Sequence, residues 1–415
     1  MDRSEGFGEG LLGQLLDRAR GMPPQLVAPL VAEAARAVGG QEVSILLPDY
    51  GQVTLVPLPG RGLVVGAPVP IGGSPAGEAF LGTTTVECPQ AAGIRMFVPL
   101  PDGDHGGVLA VTLADVNDED RRLLRRLAAL VADILTAKNG YTDQFARARR
   151  QAPMSLAAEI QWSLLPPLAM STPQVSVAGI LEPAYDIAGD SLDYALDDDI
   201  LHLAMIDAMG HGLNAAVLAT VAIGAYRHAR RATVGLAELY AYMDAAIDQQ
   251  FGPDHFVTAQ MMRLNIATGT LEWVNAGHPA PLLIRGHHVL QALDSPGTLP
   301  VGFGGDTPQI SRRHLRRGDR VLFYTDGLVE EHRAGGELFG EQRLIATVER
   351  VGPRGGSVRE MVRSLSDALM QERGGATTDD ASLFLVEWHG DAVGQPDATT
   401  EVHRGGRPQP DRHKG

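Results

Sequence analysis

The stretch from Leu201 to Gly212 constrains this chain most. An apolar run, Leu203 to Ile206, ends in one carboxylate, Asp207, followed at once by the glycine-flanked turn Met209-Gly210-His211-Gly212. Leu213 to Val221 is then rich in alanine and apolar residues. That order predicts a buried strand, a tight turn and a helix. A carboxylate at the end of a buried strand is costly unless a partner or a metal ion meets it. Similar acids stand at Asp190, after Ile187-Ala188-Gly189, and at Asp326, after Val321 to Thr325. A further pair, Asp379-Asp380, directly precedes the apolar run Ala381 to Val386. Acids at the ends of apolar runs, each beside Gly, Thr or another Asp, suggest one shared all-oxygen metal site.

The length of 415 residues implies two or three domains, and 44% hydrophobic with 20% charged residues is ordinary for a globular protein. A net charge of −15 disfavours wholesale nucleic-acid binding. The single cysteine, Cys88, excludes an intramolecular disulfide framework and any cysteine-cluster metal site, and fits a reducing cytoplasm. As a small side chain it reads as a buried hydrophobe before it reads as a redox site. Met1 to Gly6 shows no basic segment leading into an apolar core, so no secretory signal is expected. No apolar run approaches the roughly 20 residues a membrane helix needs. A cytoplasmic protein without membrane or nucleic-acid partners is expected.

Residues 20–138 read as a compact α+β layer. A helical pattern up to residue 22 closes at Pro23-Pro24, and Leu26 to Val38 is a second helix. Strands are expected at 42–47, 52–57, 62–65, 95–100 and 107–113, with a hairpin turn at Pro101 to Gly107. A long helix starts at Asn117-Asp118-Glu119-Asp120, where acids suit its positive end. Helix, strands, helix resembles a GAF-type sensory domain in architecture, with no specific ligand motif; His105 reads as a solvated loop residue. Residues 139–167 predict a connecting helix with two open roles: transmitting a signal or pairing two copies in a homodimer, or packing on the following domain. From Val175 to His389, strands are expected at 175–182, 193–196, 200–206, 258–265, 270–275, 280–284, 320–325 and 381–387. Helices are expected at 213–230, 236–250, 342–350 and 357–371. That mixture implies a layered α/β sandwich. Residues 391–415, polar and rich in Gly and Pro, predict a disordered tail.

Six blocks in series then resemble the metal-dependent PP2C-type (PPM) protein phosphatases, in the bacterial branch of SpoIIE- and RsbU-like regulators. They are Pro183-Ala184-Tyr185 with Ala188-Gly189-Asp190; Asp207-Ala208-Met209-Gly210-His211-Gly212; Asn275-Ala276-Gly277-His278-Pro279; Leu299-Pro300-Val301-Gly302; Tyr324-Thr325-Asp326-Gly327-Leu328-Val329-Glu330; and Thr378-Asp379-Asp380-Ala381-Ser382. The resemblance implies an αββα sandwich over residues 168–390. It implies two Mg²⁺ or Mn²⁺ ions, with Asp207 bridging them and Asp190 on one ion directly or through water. Asp326 and Asp379 would complete the other ion's shell, and the Ala208 carbonyl would be a further ligand. Asp207, Asp190 and Asp326 are then the catalytic acids, and Asp380 is the alternative to Asp379. The implied activity is hydrolysis of phosphoserine or phosphothreonine on a regulatory partner of the anti-sigma-factor-antagonist type, by a water activated between two metals. Two departures stand out. Ala188-Gly189 replaces the family's paired glycines, and Ser191-Leu192 replaces its aromatic pair.

Simpler readings stand beside these. Each acid alone also reads as a turn residue. Asp193 is a candidate supporting group for Asp190. Histidine as a residue type titrates near neutrality, so a general-acid role and a structural role are equally open for His211; His278 reads as structural, in a turn shaped by Asn275 and Gly277. Arg227, Arg230 and Arg231 read as a solvated cluster at a helix end. The competing function is a non-catalytic regulatory scaffold that binds a phosphoprotein without hydrolysing it.

Overall fold

A computed structural model describes residues 5–101, 106–187, 189–305, 307–330, 339–352, 356–373 and 380–390. The expected hairpin turn at Asp102 to His105, Ala188, Asp379 and the tail 391–415 lie outside the described residues. Among the described residues, no helix is long and apolar enough to cross a membrane.

The N-terminal unit comprises α1 (Glu5–Gly21), α2 (Val27–Ala37), β1 (Gln41–Pro48), β2 (Thr54–Pro57), β3 (Val69–Pro70), α3 (Pro75–Gly82), β4 (Val86–Gln90), β5 (Gly93–Leu100), β6 (Gly107–Leu113) and α4 (Asp118–Asn139). Its sheet has the order β3-β2-β1-β6-β5-β4 and is antiparallel throughout. Ile45, Leu47, Leu109 and Val111 point to the side covered by α1, α2 and α4, while Leu46, Val108 and Ala110 point to α3. This alternation is the period-two signature of a strand buried on both faces. α4 begins with a reciprocal cap: Asn117 Oδ1 accepts from the Asp120 amide at 2.9 Å, and Asp120 Oδ2 accepts from the Asn117 amide at 3.0 Å. The expected strand at 62–65 does not form. Gly62 sits at φ +90°, and Val64 alone ties the segment's backbone to β1, its amide donating to Val43 O at 2.7 Å and its carbonyl accepting from Ser44 Oγ at 3.2 Å.

The expected single connecting helix is two short ones, α5 (Gln144–Arg149) and α6 (Leu156–Leu164). Gly140 follows α4 and Pro153 lies between α5 and α6, and neither residue favours a helix interior. Ser155 caps α6 through its hydroxyl, 3.1 Å from the Ala158 amide. α6 packs on the second domain, and Trp162 Nε1 donates to Ala184 O at 2.7 Å. The turn after β1 meets α6 edge-on, with the rings of Tyr50 and Trp162 4.8 Å apart.

The C-terminal domain adds β7 (Ala169–Ser171), β8 (Val175–Glu182), β9 (Asp190–Asp197), β10 (Ile200–Ala208), α7 (Gly212–Arg231), α8 (Leu236–Phe251), β11 (Val257–Asn265), β12 (Thr270–Ala276), β13 (Leu282–Arg285), β14 (His288–Ala292), β15 (Ser311–His314), β16 (Arg320–Tyr324), α9 (Glu341–Val351), α10 (Val358–Arg373) and β17 (Ala381–Trp388). Two antiparallel sheets, β15-β12-β11-β10-β9 and β14-β13-β16-β17-β8-β7, stack face to face. α7 and α8 cover the first sheet, and α9 and α10 the second. This is the αββα sandwich.

Strand parity assigns each side chain to a layer. On β10, Leu201, Leu203 and Met205 lie between the sheets, while Ala204, Ile206 and Ala208 meet α7 and α8. On β16 and β17, Val321, Phe323, Phe384 and Val386 lie between the sheets, while Leu322, Tyr324, Leu383 and Leu385 meet the second helix layer. Asp207, Thr325 and Ser382 continue the inter-sheet parity of their strands, and Asp190 shares that of Leu192 and Tyr194.

Candidate active site

Four strand ends therefore bring polar groups to one end of the sandwich, between its sheets. Asp190 and Asp207 are directly opposed across the β9–β10 ladder. Opposed residues on antiparallel strands have Cβ atoms about 4.5–5.5 Å apart, and like charges so placed repel. Asp190 is buried, and its Oδ2 accepts two hydroxyl hydrogen bonds, from Thr325 at 2.7 Å and Ser382 at 2.6 Å. Thr325 Oγ1 also accepts from the Ser382 amide at 2.9 Å, so one hydroxyl joins β16, β17 and β9. Burial pushes the Asp190 carboxyl well above the usual carboxylate range, and Asp207 and Asp380 push it further; the Ser382 and Thr325 hydroxyls oppose them.

Two further contacts fix the start of β9. Asp380 Oδ2 accepts from the amides of Gly189 at 2.6 Å and Asp190 at 3.3 Å. Gln161, buried on α6, donates through Nε2 to Asp190 O at 3.1 Å. Asp380 thus binds the backbone beside the first acid. Asp379, the residue expected to hold metal, lies outside the described residues. Asp326 opens a single 3₁₀ turn, Asp326–Leu328, directly after Thr325, and is partly exposed.

The donor set suits a hard divalent cation, since it comprises carboxylate oxygens and the carbonyl of Ala208. The space beside them depends on Gly189. A Cβ there would stand 2.8 Å from Ala208 O and 3.3 Å from Asp207 Oδ1. Positive charge at that point would also offset the repulsion that raises Asp190. Among the described residues, no three acidic, histidine or cysteine groups form a ready-made metal cluster.

Asp193 does not support this site. Parity turns it to the helix layer, where it accepts from Arg227 Nε at 3.0 Å, Arg227 Nη2 at 2.7 Å and Arg230 Nη1 at 2.5 Å. The expected solvated arginine cluster is accordingly wrong for two of its members: Arg230 is buried and Arg227 half-buried, and only Arg231 is exposed. Arg227 also donates to Leu164 O at the end of α6. His211 is exposed at the start of α7 and makes no capping hydrogen bond through its side chain. His278 is buried, with Nδ1 2.8 Å from Thr258 Oγ1, and Thr258 pairs with Asp207 in the β10–β11 ladder. The Asn275 side chain holds the His278 turn, with Nδ2 donating to His278 O at 2.7 Å and Oδ1 accepting from the His278 amide at 2.8 Å. Burial pushes the His278 imidazole down to about 4.

Residues 197–389 match the family model described as Stage II sporulation protein E (SpoIIE). The chain is 21% identical over 238 residues to phosphoserine phosphatase RsbU of Bacillus subtilis, covering 57% of this chain and 70% of that protein. It is 27% identical over 186 residues to phosphoserine phosphatase RsbP of the same organism, covering 43% of this chain and 45% of RsbP. The SiaA-PP2C domain of Pseudomonas aeruginosa superposes with a TM-score of 0.48 at 18% identity, covering 56% of this chain and 94% of that one. The RsbU and RsbW domains of a Mycobacterium tuberculosis protein superpose with a TM-score of 0.46 at 24% identity, covering 54% and 62%. The C-terminal domain of this chain belongs to the SpoIIE group of PP2C-type phosphatase domains, homologous to RsbU and RsbP.

Proposed function

We propose that this chain is a Mg²⁺- or Mn²⁺-dependent protein phosphatase that hydrolyses phosphoserine or phosphothreonine on a regulatory protein. The observation that carries the reading is the in-register opposition of Asp190 and Asp207 at the mouth between the sheets. Asp207, the Ala208 carbonyl and Asp190 would hold divalent cations, with Asp326 and Asp379 completing the set. Two such ions supply Lewis-acid charge and a water acidic enough to attack phosphorus at neutral pH. The chain's own residues orient that assembly. Thr325 and Ser382 fix the Asp190 carboxylate through Oδ2, and Asp380 and Gln161 fix its backbone from either side. RsbU and RsbP are each named phosphoserine phosphatases, which supports a phosphoserine substrate. We read the partner as an anti-sigma-factor antagonist and residues 20–138 as a sensory domain of GAF type.

The test is phosphate release from a serine-phosphorylated antagonist protein, with and without Mn²⁺. Metal-dependent release is expected, and Asp207→Asn should abolish it. Full activity in Asp207→Asn would refute the mechanism. Calorimetric titration with Mn²⁺ separates this reading from a non-catalytic scaffold, for which no metal uptake by the acid set is expected.

A further inference from the structure

Three segments of the chain enclose one cavity of about 290 Å³. The N-terminal unit contributes the turn after β1 and the end of α3, the linker contributes α5 and α6, and the C-terminal domain contributes β8 and α10. Among the described residues, the charged side chains that line it are all arginines: Arg149, Arg359 and Arg363. In a chain of net charge −15, that is a local reversal of sign. Low-dielectric walls focus such a field on whatever enters. Each guanidinium is held in place. Arg149 stacks over the Tyr50 ring at 4.7 Å and donates through Nε to Pro48 O at 2.8 Å. Arg359, buried, stacks over the Phe80 ring at 4.4 Å and donates to Phe80 O at 3.5 Å. Arg363 donates through Nη1 to Gly51 O at 3.2 Å and Gln52 O at 3.0 Å, and it pairs with Asp367, which lies outside the lining. Stacking uses the flat face of a guanidinium, while its N–H donors lie in the plane, in the fork that matches a carboxylate or phosphate. Trp162, Leu165, Leu168, Ile180 and Val362 add apolar wall.

We infer that this cavity is a binding site for a small organic oxyanion, a carboxylate or a phosphate ester, with its charged head on the arginines and its hydrocarbon body on the apolar wall. Ligand pockets run from roughly 300 to 1,000 Å³, and this cavity lies at the small end, so a peptide or a dinucleotide is too large for it. The occupant would touch all three segments at once and so tie the N-terminal unit to the C-terminal domain. Trp162, in the wall, directly follows Gln161, whose amide holds Asp190 O. The site thus lies one residue along α6 from a support of the candidate metal acid, but its binding of an anion does not depend on the phosphatase reading.

The experiment is isothermal titration calorimetry of the full chain in EDTA, which keeps the candidate metal site from taking a phosphonate. Phenylphosphonate and benzoate are the probes, one aromatic body on two oxyanions, and benzamide is the uncharged control of benzoate's shape. At least one of the two anions should bind with one-to-one stoichiometry and at least tenfold more tightly than benzamide. Tighter binding of the phosphonate assigns the site to a phosphate ester, and tighter binding of benzoate assigns it to a carboxylate. Arg149→Gln and Arg363→Gln should each weaken that binding at least tenfold. Ala146→Phe keeps every arginine but fills space from the α5 wall, and it should abolish binding. Circular dichroism checks that each variant is folded. Anion binding no tighter than that of benzamide, or binding that survives unaltered in Ala146→Phe and in both glutamine variants, would overturn the site. With metal absent throughout, that failure leaves the phosphatase reading intact, and a chain that binds the anion yet releases no phosphate with Mn²⁺ overturns the phosphatase reading alone.

Discussion

Replacing Asp193 with Asn tests how the strand layer is tied to the helix that starts at the metal turn. Asp193 is nearly inaccessible, with 2% of its side chain exposed, and it accepts three hydrogen bonds from two guanidinium groups. The substitution removes the negative charge but leaves both cations. Arg227, 26% exposed, can turn toward water; Arg230, 7% exposed, cannot do so without moving α7. Removing one partner of a buried ion pair costs about 3–5 kcal/mol, because the remaining charge is left uncompensated. Most of that cost falls on Arg230. The assay is urea unfolding followed by tryptophan fluorescence. All three tryptophans, Trp162, Trp273 and Trp388, lie on α6 or in the C-terminal sandwich, so the signal reports that unit rather than the N-terminal sheet. With a urea slope of about 2 kcal/mol per molar, the midpoint should fall by about 2 M. The double variant Asp193→Leu with Arg230→Met removes charge on both sides and should recover most of the loss. A loss below about 1 kcal/mol in Asp193→Asn, or a double variant as unstable as the single one, would refute the claim that this pair is energetically buried.

Two other predictions follow from the site. Thr325→Val keeps the shape but removes the hydroxyl that serves Asp190 and the Ser382 amide, and it should raise the Mn²⁺ concentration for half-maximal phosphate release about tenfold or more; an unaltered metal dependence would deny Thr325 that role. His278 is held near pKa 4 when folded and returns to about 6.5 when unfolded. Its folded pKa is depressed, so the unfolded chain takes up a proton first as pH falls. Stability on the order of 3 kcal/mol, present above pH 6.5, should therefore be lost between pH 6.5 and 4 and no further below. The urea midpoint measured across that window should fall less steeply in His278→Gln than in the wild type, and equal slopes would refute the assignment.

The sandwich was legible because its strands are long and end at turn residues, and because the α7 and α8 patterns have helical length. The same sequence reading passed over α3, whose eight residues include two glycines, and over β7, β14 and β15, which are short edge or near-edge strands. β15 reads Ser-Arg-Arg-His and shows no apolar alternation; its pairing with β12 brings Arg312 opposite Glu272, a contact distant in sequence. Within the site, the acids were visible as carboxylates ending apolar runs. Their supporting hydroxyls, Thr325 and Ser382, were in view only as parts of motifs, and Gln161 carried no signal because α6 meets β9 only in the folded chain. Counting by twos along β9 would have separated Asp190 from Asp193, sending one to the mouth between the sheets and the other to the arginines of α7.

That same counting has a consequence for how this domain can diverge. Asp190, Asp207 and Ser382 sit on three separate strands, Thr325 directly follows a fourth, and they share one facing only because each ladder keeps its alignment. A single-residue insertion inside any of these strands would rotate its polar group into a helix layer. The β9–β10 hairpin loop at Asp198 and Asp199 lies at the far end of that ladder, where added length leaves the Asp190–Asp207 pairing untouched. Substitutions can accumulate widely in such a domain, while changes in strand length are confined to the loops remote from its chemistry.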